Sequence, residues 1–208
     1  MSFEAAISAE TPDWSREAVR RFWDPGRKLL RAIRRHQALG GRRGPLARCA
    51  RRYWHLEHRL WTIVTQCEIG LGCTIGGGLL LPHPTGIVVH PDARIGPNCL
   101  LFQQVTLAGE VTLGGHVDVG AGAKLLGPLA VGDHVRIGAN AVVTRDVPSR
   151  ADAVGVPARA TVRASLGGTR PGRKASRLHL LPGVQAVSAA AGEPEAEGVE
   201  GAPVERRA

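Results

Sequence analysis

The middle of this chain repeats an aliphatic residue at every sixth position. The longer unbroken run is Ile95, Leu101, Leu107, Leu113, Val119, Leu125, Val131, Ile137 and Val143. A shorter run with the same spacing precedes it: Ile69, Ile75, Leu81 and Ile87. A helix repeats at about 3.6 residues and a strand at about 2, so neither gives a strict period of six. The spacing is typical of hexapeptide repeats and predicts a parallel β-helix.

Each six-residue unit should form one short strand and one corner, and three units should close a triangular coil of about 18 residues. The aliphatic residue and the residue four positions later should both face inward. The second inward set is Cys73, Leu79, Thr85, Cys99, Val105, Val111, Val117, Ala123, Leu129, Val135 and Ala141. Cys73 and Cys99 are therefore expected in the core. Four cysteines without a C-x-x-C pair suit a reducing compartment, and we expect a cytoplasmic protein.

Composition and periodicity divide the chain into three regions, of which the middle one makes the protein mostly β. Residues 1–66 are predicted to be helical, residues 67–160 to form the β-helix, and residues 161–208 to be a low-complexity, disordered tail. Helix starts are predicted at Pro12-Asp13, Asp24-Pro25 and Gly44-Pro45. The aromatic residues of the third helix are expected to pack on the base of the β-helix or on another subunit.

The net charge of +9 is concentrated in the helical region. Residues 1–66 hold fourteen Arg and Lys against six Asp and Glu. Such a density is typical of a solvated basic face, with nucleic acid, an acidic membrane or a polyanionic cofactor as the alternatives. The first residues lack the pattern of a signal peptide, and no apolar run approaches the roughly 20 residues of a membrane span. We expect neither nucleic acid nor a membrane as a partner.

A histidine between two prolines marks the point where the two runs of sixes fall out of step. Proline fixes the backbone around His83, and an imidazole is well suited to accept a proton near neutral pH. Glu68 precedes His83 by nearly one coil, so its carboxylate is expected near the same corner, where it would orient the ring. On spacing alone, an exposed bystander histidine and an exposed first-coil glutamate remain the alternative.

Four segments are more specific than a generic hexapeptide repeat. They are LPHPTGIVV at 81–89, FQQVTL at 102–107, GAGAKLLG at 120–127 and GVPAR at 155–159. Together they resemble the serine O-acetyltransferase family of hexapeptide-repeat acyltransferases, over about residues 20–160. The resemblance implies a left-handed β-helix, a homotrimer or a multiple of it, and acetyl-CoA as co-substrate in a groove between subunits, with no metal.

The resemblance also assigns residues. His83 matches the family's general base, and Glu68 matches its acidic partner. Gly109, Ala121 and Ala139 match positions that contact acetyl-CoA. The implied reaction is direct transfer of an acetyl group to L-serine in cysteine biosynthesis. Another small hydroxyl compound, such as a sugar or a pathway intermediate, is the alternative acceptor, and a non-catalytic β-helix assembly module is the alternative of a different class.

Three features depart from the family pattern. The loop with an Arg-His pair that helps to hold the acceptor is absent after Gly109, and Pro82 replaces the acidic residue that usually precedes the base. The chain ends in 205–208, Glu-Arg-Arg-Ala, so docking on a sulfhydrylase through a C-terminal isoleucine is not expected.

Three other histidines, His90, His116 and His134, lie within the predicted β-helix. His116 and His134 are one coil apart, and Asn98 lies another coil before, so the three should stack on one outer face. We interpret them as a solvated ladder in preference to a zinc site. His90 follows Val89 and is expected within the two-residue insertion near His83, where it is a candidate for lining the acceptor pocket.

Overall fold

The computed structural model describes residues 7–163, which form a parallel β-helix of about five turns with helices at its N-terminal end. A 3-10 turn at Trp14–Glu17 precedes helix α1, Pro25–Ala38, and helix α2, Pro45–Thr65. The predicted helix after Pro12-Asp13 is therefore wrong beyond this single turn. The other two helices begin at the predicted prolines, whose fixed φ suits the first helical position.

Fourteen short strands follow within the described residues. They are β1 Glu68–Ile69, β2 Thr74–Ile75, β3 Val88–Val89, β4 Arg94–Ile95, β5 Leu100–Leu101, β6 Thr106–Ala108, β7 Val111–Leu113, β8 Asp118–Val119, β9 Lys124–Leu126, β10 Leu129–Val131, β11 Arg136–Ile137, β12 Val142–Val143, β13 Ala151–Val154 and β14 Arg159–Val162. β14 turns back antiparallel to β13. The rest of the predicted tail, residues 164–208, lies outside the described residues.

The strands stack into three parallel faces of the β-helix. The first face is β1-β3-β6-β9-β12, the second is β2-β4-β7-β10, and the third is β5-β8-β11-β13 with β14 at its edge. Ile69 pairs with Val89, and Val89 pairs in turn with Leu107. The step from Val89 to Leu107 is shorter along the chain than the step from Ile69 to Val89. All later coils of the first face keep the shorter step. The first coil therefore carries both extra residues.

The predicted inward ladders form the core, with one exception. The aliphatic residues from Ile69 to Val143 are buried, and so are Cys73, Cys99 and their counterparts. Thr85 was predicted to face inward but is exposed. The two extra residues fall between Leu81 and Val88, so the corner there is longer and Thr85 leaves the ladder. Val89, rather than Ile87, stands in register with the later coils.

Helix α1 closes the open end of the first coil. The first coil has no preceding coil to donate hydrogen bonds to its outward carbonyl oxygens, and an exposed edge of this kind invites aggregation. Arg34 donates to the carbonyl oxygens of Ile75 and Gly76 at 2.6 and 2.7 Å, and the Gln37 amide donates to the carbonyl oxygen of Cys73 at 3.0 Å. The apolar side of the helix is buried beneath: Leu29, Leu30, Ala32 and Ile33.

Helix α2 packs beside α1 and buries only one of its sides. Trp61 and Thr65 are buried, and His58 donates from Nε2 to the carbonyl oxygen of Ile69 at 2.8 Å. Tyr53, one of the aromatic residues predicted to pack on the base of the β-helix or on another subunit, is exposed and so does not pack on the base. The aromatic residues of this helix therefore lie on more than one side of it.

The N-terminal segment covers Asn98, the first residue of the predicted ladder, so this residue is not solvated as predicted, whereas His116 and His134 stay half-exposed. The three residues stack, and all have positive φ, between 52° and 59°. The two rings are joined by an Nδ1–Nδ1 hydrogen bond of 2.9 Å. Asn98 is 1 % exposed, and its amide bonds to the backbone of Ser8, Thr11 and Asp13, each at 2.8 Å.

We expect Asn98→Ala to lower the free energy of unfolding by about 2–4 kcal/mol, because it removes three hydrogen bonds that hold the N-terminal segment and empties the buried position of the amide. Asn140→Ala is the matched control, since Asn140 has a similar φ of 55° but an exposed side chain, and it should cost about 1 kcal/mol. Urea denaturation of both variants measures the difference. Equal losses would show that the backbone conformation alone matters at Asn98.

Candidate active site

His83 lies in the longer corner of the first coil, between the third face and the first face. We call residues 82–87 the histidine corner. The backbone of this corner is fixed, because Pro84 is buried and the Gly86 N–H donates to the carbonyl oxygen of Gln66 at 2.9 Å. The His83 side chain is exposed. A stiff corner thus presents an imidazole to solvent, which is the arrangement that a general base requires.

Glu68 lies directly beside this corner. Its backbone N–H donates to the carbonyl oxygen of Ile87 at 2.7 Å, and it pairs in register with Val88. Its side chain is exposed and begins an outward ladder on the first face: Glu68, Val88, Thr106, Lys124 and Val142. Within residues 7–163 no hydrogen bond or ion pair joins the Glu68 carboxylate to His83, so their cooperation stays a prediction.

Later coils stack their corners above the histidine corner. Gln104 donates to Thr85 at 2.9 Å, Gly122 to Gln103 at 2.9 Å, and Asn140 to Ala121 at 2.8 Å, all between backbone atoms. Ala121 and Ala139 therefore lie above His83 on the same edge of the β-helix, at roughly 4.8 Å per coil. Small side chains leave this edge accessible to a ligand.

Lys124 adds a positive charge to this edge. Its ammonium donates to the carbonyl oxygens of Gln104 at 2.7 Å and of Gly122 at 3.2 Å. Its position along the repeat does not predict this role, because the pairing register on the first face brings its ammonium to the corner carbonyls.

Gly109 and His90 lie on the opposite edge of the first face. Gly109 and Glu110 are the only residues between β6 and β7, which confirms that no loop is inserted there. About five residues of extended chain, about 17 Å, separate this edge from the histidine corner. His90 was predicted inside the insertion near His83; this is wrong, because β3 comes between them. His90 Nδ1 instead accepts the N–H of Asp92 at 3.3 Å.

A cavity of about 390 Å³ adjoins the histidine corner. Pro82 and Pro84, which flank His83, form one wall, and the segment before α1 forms the other, with Arg20, Arg21 and Asp24. The Asp24 carboxylate pairs with Arg27 at 3.2 Å. The sequence does not predict this wall, because it is far from His83 along the chain and Asp24-Pro25 indicates only the start of a helix.

A larger cavity, of about 570 Å³, contains none of the candidate residues. It lies between α1 and α2 and is lined by His36, Arg48, Arg51, Arg52 and His55, among others. Burial, His55 and Arg51 together lower the pKa of His36. This cavity belongs to the basic surface predicted for the helices and is remote from the histidine corner.

Neither a cluster of metal ligands nor a membrane span occurs within residues 7–163. No three or more His, Cys, Asp or Glu side chains in that range come together as a metal would require. Neither of its two α-helices has a stretch long and apolar enough to cross a membrane.

Comparison with known proteins gives a consistent group of relatives, although no family model matches the chain. The serine acetyltransferase of Synechococcus elongatus is 42 % identical over 119 residues, which cover 53 % of this chain and 48 % of that protein. The serine acetyltransferase of Helicobacter pylori strain J99 is 40 % identical over 120 residues, which cover 52 % of this chain and 70 % of that protein.

The chain belongs to the serine acetyltransferase family. It spans about half the length of the Synechococcus relative. A solved serine acetyltransferase in complex with CoA superposes with a TM-score of 0.57 at 31 % identity, covering 67 % of this chain and 58 % of that one. A soybean serine acetyltransferase complexed with serine gives 0.53 at 33 % identity, covering 64 % and 56 %.

The thiols of this serine acetyltransferase family member are not placed to act as nucleophiles. Burial raises the pKa of both Cys67 and Cys99 to about 12, and burial also raises the pKa of Cys73. The thiolate is the reactive form of cysteine, so these three side chains are inert at neutral pH. Cys49, on α2, is exposed. A covalent acetyl-cysteine intermediate near the histidine corner is therefore not supported.

Iodoacetamide at pH 8 should modify native protein at Cys49 alone, because the other three thiols are buried and protonated. Mass spectrometry should show one adduct per chain under native conditions and four after unfolding in guanidinium. Rapid native labelling of Cys67, beside Glu68, would contradict the description of an inert core.

Proposed function

We propose that this protein transfers an acetyl group from acetyl-CoA to the hydroxyl of L-serine, giving O-acetylserine and CoA, in cysteine biosynthesis. The observation that carries the proposal is the histidine corner. A two-residue insertion, stiffened by two prolines, presents His83 on the edge of the β-helix where Ala121 and Ala139 stack in later coils. A β-helix that served only as an assembly module would have no need for that insertion.

His83 acts as the general base in this proposal. An alcohol is a poor nucleophile at neutral pH, so the imidazole removes the hydroxyl proton as the oxygen attacks the thioester carbonyl carbon. The C–S bond then breaks, and the imidazolium returns its proton to the leaving thiolate of CoA. A backbone N–H of the corner column would stabilise the oxyanion that forms between these steps.

Glu68 acts on the imidazole rather than on the substrate. Its carboxylate would accept a hydrogen bond from one ring nitrogen, which fixes the tautomer and stabilises the imidazolium. Glu68 pairs with Val88 beside the corner and its side chain is exposed, so its carboxylate is not committed to another contact within residues 7–163.

The acetyl-CoA groove runs along the edge above His83. Ala121 and Ala139 let the cofactor approach the backbone closely, and the Lys124 ammonium attracts its phosphates. Gly109 lies on the other edge, about 17 Å away, so it would contribute from a neighbouring copy. The exposed apolar residues Val88 and Leu126 on the first face support burial of that face between copies, and we propose a trimer.

The cavity beside the prolines is our proposed acceptor pocket. L-Serine is a zwitterion, and the cavity offers the guanidinium groups of Arg20 and Arg21 for its carboxylate and Asp24 for its ammonium. These groups would replace the absent Arg-His loop. A sugar acceptor carries neither charge and gains less from this lining. His90 would reach an acceptor only from a neighbouring copy.

The cytoplasm is the compartment that we propose. All four cysteines are free, and the three buried ones line a core that contains no disulfide.

Replacing the base should abolish most turnover. His83→Ala is expected to lower kcat for acetyl transfer to L-serine by about 10²–10⁴-fold, while KM for acetyl-CoA changes little. Release of CoA, followed with a thiol reagent, measures both constants. His55→Ala removes an exposed imidazole from α2 and should leave them unchanged. Turnover above a third of wild type in His83→Ala would exclude His83 as the base.

Glu68→Gln should reduce kcat clearly, but less than His83→Ala, because an amide cannot balance the charge of the imidazolium. Glu10→Gln is the control for an exposed carboxylate remote from the corner. Measuring kcat together with the melting temperature separates the two roles. A lower melting temperature with unchanged kcat would mean that Glu68 supports only the fold.

A further inference from the structure

A cavity lined by cationic side chains lies between α1 and α2. We call it the basic cavity; its volume is about 570 Å³, and its lining includes His36 of α1 and, on α2, Arg48, Cys49, Arg51, Arg52 and His55. The α2 cations recur at steps of three and four residues, so they lie along one side of the helix. From Arg48 to His55 they extend over about 10 Å of the helix axis. One ligand can therefore contact several of them at once.

The positive charge of the basic cavity is not balanced by nearby carboxylates. Residues 25–56 hold ten Arg and Lys and neither Asp nor Glu. The ion pairs within residues 7–163 use other cations, so no carboxylate there pairs with an arginine of the basic cavity. Glu57, the next carboxylate along α2, accepts hydrogen bonds from two aromatic side chains. Like charges side by side on a helix are destabilising, so a bound anion would stabilise this region.

The half-buried imidazole of His36 senses this positive charge. Burial lowers its pKa, and His55, Arg51 and His58 on α2 each lower it further. Neighbouring positive charges disfavour the protonated form of an imidazole, because they repel the additional charge. An anion placed among the same groups would reverse this effect. The repulsion between the lining side chains thus indicates where a negatively charged ligand is favoured.

A second cavity, of about 540 Å³, continues the positive surface to the turn between the helices. Arg48 and Arg51 line both cavities, and Arg42 and Arg43 add two further guanidinium groups. Helix α2 begins at this turn; its N-cap, Gly44, supplies no side-chain cap, and its first turn contains no acidic residue. The free backbone N–H groups and the dipole of this 21-residue helix add to the attraction that the arginines exert on an anion.

We propose that the basic cavity binds a small molecule that carries a di- or triphosphate group. An arginine fork matches the oxygens of a phosphate, and several forks along one helix match a chain of phosphates better than a single phosphate. The volume of the cavity lies within the range of small-molecule sites. Nucleotides and inorganic polyphosphates both carry such a group. The basic cavity is remote from the histidine corner, and binding there does not depend on acetyl transfer.

Cys49 reports whether the basic cavity is occupied. Its thiol is exposed and lines the cavity, whereas the other three cysteines of the chain are buried. Saturating sodium tripolyphosphate should slow the alkylation of Cys49 in native protein by iodoacetamide at pH 8 at least about fivefold, because bound phosphates cover the thiol and repel its thiolate form. Sodium chloride at the same ionic strength only screens charge and should have little effect. An unchanged rate, or equal slowing by sodium chloride, would overturn the proposal.

Matched variants locate the bound phosphates. The affinity is measured as the tripolyphosphate concentration that halves the alkylation rate. Arg48→Gln with Arg52→Gln should weaken binding by about 10²-fold, since each change removes a charge-assisted contact. Arg94→Gln with Arg145→Gln removes two exposed arginines from the β-helix instead and should bind like wild type. The melting temperature of each variant checks that the chain is folded. Equal affinity of the two double variants would contradict binding in the basic cavity.

Two further arms separate the basic cavity from other phosphate sites and identify the kind of ligand. Lys124→Gln, in the proposed acetyl-CoA groove, should leave the protection of Cys49 by tripolyphosphate unchanged; loss of protection there would overturn the proposal. ATP should protect Cys49 as well as tripolyphosphate does, and tighter binding of ATP would identify the ligand as a nucleotide. Protection by a short RNA where both probes fail would assign this surface to nucleic acid and overturn the proposal.

Discussion

Backbone hydrogen bonding between successive coils is the constraint on which the rest of this structure depends. Each coil satisfies its polar groups through the coil above and the coil below, so residues one coil apart must stand over one another. The same rule leaves the first coil with unsatisfied carbonyl oxygens. Arg34 and Gln37 of α1 supply the missing donors, which explains why a polar helix lies against this end of a β-helix.

The same constraint positions the candidate site. Because the later coils keep a strict spacing, two extra residues in the first coil cannot be absorbed along the stack and must lengthen one corner. That corner holds His83, and the regular corners above it place Ala121 and Ala139 in line. Gly109 falls on the opposite edge of the same face. A single chain therefore does not bring Gly109 to the same edge as Ala121 and Ala139.

The period of six predicted the core and the faces because it follows directly from the stacking. It misplaced Thr85 and His90, since the repeat shows that two residues are extra but not which corner contains them. Residues distant in sequence were harder to predict. Arg20 and Asp24 reach the histidine corner only through the packing of α1, and Asn98 binds an N-terminal segment far from it along the chain.

The identity of the acceptor tests the account most directly, because the proposed roles of the histidine corner and of the charged cavity beside it both depend on L-serine as the acceptor. Purified protein should be given acetyl-CoA with L-serine, with D-serine, with ethanolamine and with a neutral sugar, and CoA release should be followed by a thiol reagent. We predict that kcat/KM for L-serine exceeds that for ethanolamine and for the sugar by at least about 10²-fold, since the proposed pocket would contact both charges of the amino acid; D-serine, which carries both charges, is the control for stereochemistry. Equal or faster transfer to the sugar would contradict the account.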